Sequence, residues 1–171
     1  ALETAPNLAL VSSFGAESVV LLHLAAMIKR DLPVLFIDTQ MLFTETLVYQ
    51  QEVAERLNLT NITILRSGHT ARSDPDGTLH QTDPDACCAL RKSQPLAAAL
   101  RGFDGWLTGR KRFQSGTRAQ LEHFECEAPA DAPPRLKVNP LAHWTAHDVR
   151  DYIAEHRLPR PPLVARGYAS I

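Results

Sequence analysis

Residues 85 to 96, DACCALRKSQPL, set Cys87 and Cys88 side by side in a chain that has only three cysteines, and follow them with Arg91 and Lys92. Neighbouring Cα atoms lie about 3.8 Å apart, short of the usual span of a disulfide, so a bridge between these two would be strained. Paired thiolates aimed at a metal are easier to build. Soft thiolates favour zinc or iron–sulfur clusters, and Lys92, four residues after Cys88, would place positive charge near an anionic cluster or substrate. On the residues alone, two inert buried thiols weigh as much as metal ligation, and zinc shared with His69 or His80 stays open.

Three other stretches carry groups suited to anions. In LVSSFGAES, Ser12, Ser13, Phe14 and Gly15 form a turn ahead of a helix, and a fresh helix N-terminus offers N–H donors to phosphate or sulfate. The turn lacks the second glycine and lysine of a Walker loop and the spaced glycines of a dinucleotide fingerprint. An ordinary serine-capped turn fits it equally well. In FIDTQMLFTET, Asp38 and Thr39 can hydrogen-bond a ribose or a base edge, although Asp38 alone serves as readily as a cap. In LTGRKRFQSGTR, Arg110, Lys111, Arg112 and Arg118 come without an acidic residue among them, and arginine forks bind phosphate or sulfate oxygens in pairs. A bland basic loop and a nucleic-acid patch are the competing readings. The net charge of −1 and the lack of a broad basic surface speak against nucleic acid.

The elements that must position these groups follow from periodicity. The segments 8–13, 33–38, 61–65, 105–109 and 136–141 are short, apolar and rich in β-branched residues, and read as strands. Residues 16–30, 47–57 and 92–100 carry the helical period, and Thr145 with Asp148 forms a near capping box for a helix through AHDVRDYIAEH. RSDPDGTLHQTDPD and EAPADAPP read as loops. Strand–helix alternation predicts an α/β fold with a doubly wound parallel sheet, whose ligands sit beyond the carboxyl ends of the strands. At 171 residues and 44% apolar composition the chain can bury one core. No run is long enough to cross a bilayer, and three cysteines with no signal segment fit a reducing cytoplasm.

Taken in order, SSFGAES, DTQMLFTET, GRKRFQSGTRAQ, KVNPLAHWTAHDVRDYI and RGYASI resemble the adenylylsulfate and phosphoadenylylsulfate reductases of assimilatory sulfate reduction. The first three resemble that family's phosphate loop, second-strand motif and arginine-rich substrate loop. The fourth resembles the stretch after its last core strand, and the fifth the lead-in to its second cysteine pair. The resemblance covers most of the chain and implies an adenine nucleotide alpha-hydrolase-like (Rossmann-like) fold. It assigns Ser12, Ser13, Phe14 and Gly15 to the phosphate–sulfate region of the nucleotide, Arg112 and Arg118 to its anionic groups, and Asp38, Thr39 and Phe43 to the nucleoside. Lys92 is counted with the substrate-binding residues, supplying positive charge near the cluster and the substrate. Cys87 and Cys88 become two ligands of a 4Fe-4S cluster that a later Cys-x-x-Cys completes. The phosphoadenylylsulfate branch generally lacks the pair, so the implied reaction is thioredoxin-dependent reduction of adenylylsulfate to sulfite and AMP.

The sequence also departs from the family pattern. Ile171 stands where the pattern continues with glycine and the second cysteine pair, and the family's C-terminal tail, whose cysteine attacks sulfur to form a thiosulfonate, has no counterpart. Residues 1–171 therefore read as a single reductase core domain, inactive alone, with its nucleophilic cysteine expected beyond residue 171. Cys126 in HFECE reads as a structural thiol. Phosphoadenylylsulfate reduction is the alternative within enzymes. From another class come a non-redox adenine-nucleotide-binding module and an adenylating pyrophosphatase relative, the latter disfavoured by Glu17 where those enzymes usually carry aspartate. No nucleic-acid or membrane partner is expected, and a homo-oligomer stays open.

Overall fold

The computed structural model describes residues 5–129 and 132–168. Strand β1 (Leu8–Ser12) has its first three residues buried on both faces, which is why LALVS reads as a continuous apolar run rather than an alternating one. It lies at the centre of a six-stranded sheet of order β3-β2-β1-β4-β6-β5. Strands β2 (Val34–Ile37) and β4 (Gly105–Thr108) flank it in parallel, followed outward by β3 (Ile62–Leu65) and β6 (Arg135–Val138), also parallel.

Right-handed crossovers decide which face each helix covers. Helices α1 (Ser18–Ile28) and α2 (Thr44–Arg56) connect strands laid down to one side of β1 and bring Val20, Leu22, Tyr49 and Val53 onto Leu8, Leu10, Val34 and Phe36. The chain then crosses to β4 and deposits helical residues on the other face, where Leu100 packs with Ala9, Leu35 and Trp106. Strand order reverses between β1 and β4, so the crevice between their carboxyl ends is the expected ligand position.

The crossing segment holds short elements where a loop was expected. Residues 72–85 contain the end of one single-turn helix, α3 (Thr70–Ser73), and the whole of a second, α4 (Leu79–Thr82). The helix expected at 92–100 starts earlier, as α5 (Pro84–Cys88), widens into a π-helical turn over Ala89–Ser93, and finishes as α6 (Gln94–Leu100). Asp83 accepts the Ala86 N–H at 3.0 Å with Pro84 in the first turn, a start signal that lay inside the predicted loop. Helix α7 (Ala146–Glu155) begins as the sequence predicts, with the reciprocal Thr145–Asp148 capping box, and α8 (Pro162–Ala165) follows it.

Strand β5 (Phe124–Glu127) was not foreseen. FECE alternates apolar and polar residues over four positions only, and its apolar face, carrying Phe124 and Cys126, is the exposed one. It pairs antiparallel with β6 so that Glu125 faces Lys137 and Glu127 faces Arg135, and both pairs form ion pairs. Opposite charges across an edge ladder supply what apolar side chains would elsewhere. Cys126 on this strand is exposed, which corrects its reading as a structural thiol: it shares a face of β5 with Phe124, and that face is left exposed.

Strands β4 and β6 approach closely at Gly105. A Cβ would overlap the Leu136 carbonyl oxygen and stand 2.8 Å from Leu8 Cδ2. No helix among the described residues is long and apolar enough to cross a membrane.

Candidate functional site

Three adjacent strands end with the same local device. Ser12 Oγ accepts the Phe14 N–H at 3.0 Å, Asp38 Oδ1 accepts the Gln40 N–H at 2.8 Å, and Ser67 Oγ accepts the His69 N–H at 3.3 Å. A short polar side chain that bonds the backbone two residues on turns the chain sharply out of the sheet. In the first two cases the accepted residue has positive φ, 51° at Phe14 and 62° at Gln40. Phe14 tolerates this because its ring is fully buried, edge-on to Phe36 at 5.1 Å. Of the predicted turn, then, Phe14 contributes packing and shape, Ser12 is buried and engaged, Ser13 is exposed and Gly15 half-buried. Helix α1 starts only at Ser18, two residues later than expected, with Glu17 at the cap position.

The arginine-rich loop meets this turn through one network. Lys111 Nζ donates to Glu17 Oε2 at 2.8 Å and to Gly109 O at 3.0 Å, and its side chain is 2% exposed. Gln114 Nε2 donates to the same Glu17 oxygen at 3.3 Å. Gln114 Oε1 in turn accepts the Lys111 N–H at 3.1 Å and Arg118 Nη1 at 2.6 Å. Arg118 is thereby tied to the end of β1. Arg112 is held elsewhere: its Nε donates to Leu121 O at 2.8 Å, Nη2 pairs with Glu122 at 3.1 Å, and its backbone N–H donates to Ala142 O at 3.0 Å. Of the two arginines expected at the anion, only Arg118 joins the β1 turn through these bonds.

The β2 end is similarly fixed. Asp38 is buried and its Oδ2 accepts Arg66 Nε at 2.8 Å, so both carboxylate oxygens are engaged. The Thr39 carbonyl accepts Arg91 Nη1 at 2.8 Å, while Thr39 Oγ1 accepts the Met41 N–H. Phe43 is exposed just before α2, edge-on to Tyr168 at 5.5 Å.

Cys87 is buried and Cys88 exposed, both free thiols, immediately ahead of the π-helical turn that carries Arg91 and exposed Lys92. Widened turns of this kind are frequent at functional sites. Arg91 anchors the segment: its Nη2 pairs with Asp74 Oδ2 at 2.6 Å, with both side chains buried. That guanidinium hydrogen bond, first, holds the Asp74 carboxyl below its ordinary range. Arg91 stands four residues after Cys87 on the same face of the helical run, and that spacing was the signal by which sequence reasoning could have found it. Asp74 and the contacts that Lys111 and Gln114 make with Glu17 had no such signal, since those partners lie far away in sequence. RGYASI, read as a motif, ends in residues 169–171, outside the described residues.

The fold and its strand-end loops define a doubly wound α/β protein in which the turn after β1 and Arg118 on the loop after β4 are tied together through Glu17 and Gln114 where strand order reverses. Residues 7–171 match the phosphoadenosine phosphosulfate reductase domain, and the chain belongs to that family. The adenosine 5'-phosphosulfate reductase of Mesorhizobium japonicum is 50% identical over 167 residues, 96% of this chain and 64% of that protein. The one from Chelativorans sp. is 44% identical, over 96% of this chain and 66% of that protein. The chain thus spans less than two thirds of the length of either. Among solved structures, the phosphoadenylyl-sulfate reductase from Candida auris, in a phosphate complex, superposes with a TM-score of 0.83 at 29% identity, covering 100% of this chain and 83% of that one.

Proposed function

We propose that this chain is the nucleotide-binding core of an adenylylsulfate reductase, which uses a thioredoxin dithiol to reduce adenylylsulfate to sulfite and AMP. The observation that carries the reading is the junction of the Ser12–Gly15 turn with Arg118 through Glu17, Lys111 and Gln114 at the point where strand order reverses. In this reading the turn's Gly15 N–H, the Ser13 hydroxyl and the Arg118 guanidinium hold the phosphate–sulfate oxygens. Asp38 and Thr39 shape the nucleoside side, and Phe43 offers it an exposed ring. Arg112 acts indirectly, by closing its loop on Leu121 and Ala142. A cysteine thiolate of the family's C-terminal tail attacks sulfur and the bond to the phosphate oxygen breaks, releasing AMP and leaving a thiosulfonate. The donor dithiol then releases sulfite and ends as a disulfide, so two electrons pass from donor to sulfur.

Cys87 and Cys88 fit half of a four-thiolate set. Both are unbridged, and among the described residues no group of three or more histidine, cysteine or acidic side chains is placed to hold a metal. The reading gives these two thiolates to a 4Fe-4S cluster and expects a second cysteine pair to complete it. When bound, the cluster supplies a compact anionic, polarisable group, whose charge Lys92 balances.

The Candida auris likeness favours a second reading, reduction of phosphoadenylylsulfate. The test is titration of the full-length protein with adenylylsulfate, AMP and GMP, then competition between the two activated sulfates. Adenylylsulfate and AMP should bind in preference to GMP, and Arg118→Ala should weaken adenylylsulfate by roughly 1.5 to 3 kcal/mol. Equal binding of GMP sinks the nucleotide assignment. A strong preference for the 3'-phosphorylated sulfate sinks the branch assignment.

A further inference from the structure

Glu17 puts a negative charge where an anionic ligand is least served by one. It occupies the cap position of α1, yet makes no side-chain cap bond; its Oε2 accepts Lys111 Nζ and Gln114 Nε2 instead. The carboxylate therefore sits two residues past Gly15, at the helix end assigned above to phosphate or sulfate. A like charge beside an anion site opposes binding, and an opposite charge restores it. Lys111 supplies that opposite charge from beneath the surface, with Gly109 O as its second acceptor. The lysine arrives on the loop after β4 and the glutamate on the turn after β1, so pairing of these two strands is what joins them.

We propose that Lys111 is a positioning residue of the anion loop: it neutralises Glu17, and so leaves the loop's N–H groups and Arg118 as a net attraction for an oxyanion. The Gln114 amide extends the effect, because it touches the same Glu17 oxygen with one end and Arg118 with the other. A carboxylate released from Lys111 would be free to pull toward Arg118 and compete there with the ligand. This inference rests on the anion site of the proposed function and adds the charge pair that tunes it. An ion pair serving stability alone would behave differently, since loss of either partner would lower the melting temperature and leave the affinity of the folded protein unchanged.

Full-length protein carrying Lys111→Met, Glu17→Gln, or both, is titrated with inorganic phosphate and with adenylylsulfate, and folding is followed by circular dichroism. Lys111→Met should weaken both ligands about tenfold, Glu17→Gln should tighten them about threefold, and the double variant should return to within about threefold of the parent. Glu17→Gln keeps an acceptor for Lys111, so the proposal can still fail if Lys111→Met does not fold. Equal affinities across the folded variants, or weaker binding in Glu17→Gln, overturn it. A parent that binds phosphate with this charge pattern but ignores adenylylsulfate sinks the nucleotide reading and leaves the charge pair standing. A parent that binds both without responding to the pair sinks the pair alone, and one that binds neither sinks both.

Discussion

Replacing Asn139 with alanine tests how the end of β6 holds the arginine-rich loop. Asn139 is fully buried, and its Nδ2 donates to Glu122 O and to Glu125 Oε2, each at 2.8 Å. Loss of the carbonyl bond costs about 1 kcal/mol, and loss of the carboxylate bond about 1.5 kcal/mol, kept low because the Glu125 side chain is 35% exposed. The void left by the amide adds about 1 kcal/mol. Against this, Asn139 Oδ1 is buried without a partner, and removing it recovers about 1 kcal/mol. The net loss is about 2.5 kcal/mol, or a fall in melting temperature of about 5 to 10 °C for a domain of this size. Asn139→Asp should be worse than Asn139→Ala, since it keeps the volume, loses both donors and sets a second carboxylate against Glu125. The effect should reach the site. The Asn139 carbonyl accepts the Ala142 N–H and the Ala142 carbonyl accepts the Arg112 N–H, so the Arg112 amide should exchange faster with deuterium in both variants. Thermal melts read the first quantity, and hydrogen exchange resolved at Arg112 reads the second. An alanine variant as stable as the parent, or an aspartate variant more stable than the alanine one, would refute the reasoning.

Two further outcomes follow from packing and protonation. Gly105→Ala forces a Cβ onto the Leu136 carbonyl and to 2.9 Å from Leu136 Cβ, a backbone clash that should cost about 3 kcal/mol in urea melts; a neutral result would contradict the β4–β6 register. His23 lies between α1 and α7, its Nδ1 2.8 Å from Tyr152 Oη, and burial, then the nearby His156, hold its pKa below the ordinary 6.5. The unfolded chain binds that proton more readily, so the stability of the neutral ring is complete above pH 6.5 and is lost as pH falls through the lower folded value. Melting temperature should therefore drop from about pH 7.5 to about pH 5.5, with a shallower slope in His23→Gln, and equal slopes would exclude His23 as the source.

Much of this molecule was legible in the sequence because the deciding physics is local. LALVS and VLFI are buried on both faces and so appear as unbroken apolar runs, and α7 announces its start through Thr145 and Asp148, which bond each other across three residues. The strand-end turns are local too, since Ser12 and Asp38 each accept an N–H two residues on. That order of motifs was enough to reach the family. What stayed hidden depends on partners that chain position does not relate. FECE becomes a strand because Glu125 and Glu127 meet Lys137 and Arg135 across the ladder, a pairing that exists only once the register is set. Arg112 and Arg118 look equivalent in GRKRFQSGTR, yet one closes its own loop on Leu121 and the other is drawn toward β1 through Gln114 and Glu17. Composition and spacing determined that cations would gather after β4. Only the parallel pairing of β1 with β4 decided that Lys111 would be buried against Glu17, because a Coulomb interaction depends on distance in space and the two residues are 94 apart in the chain.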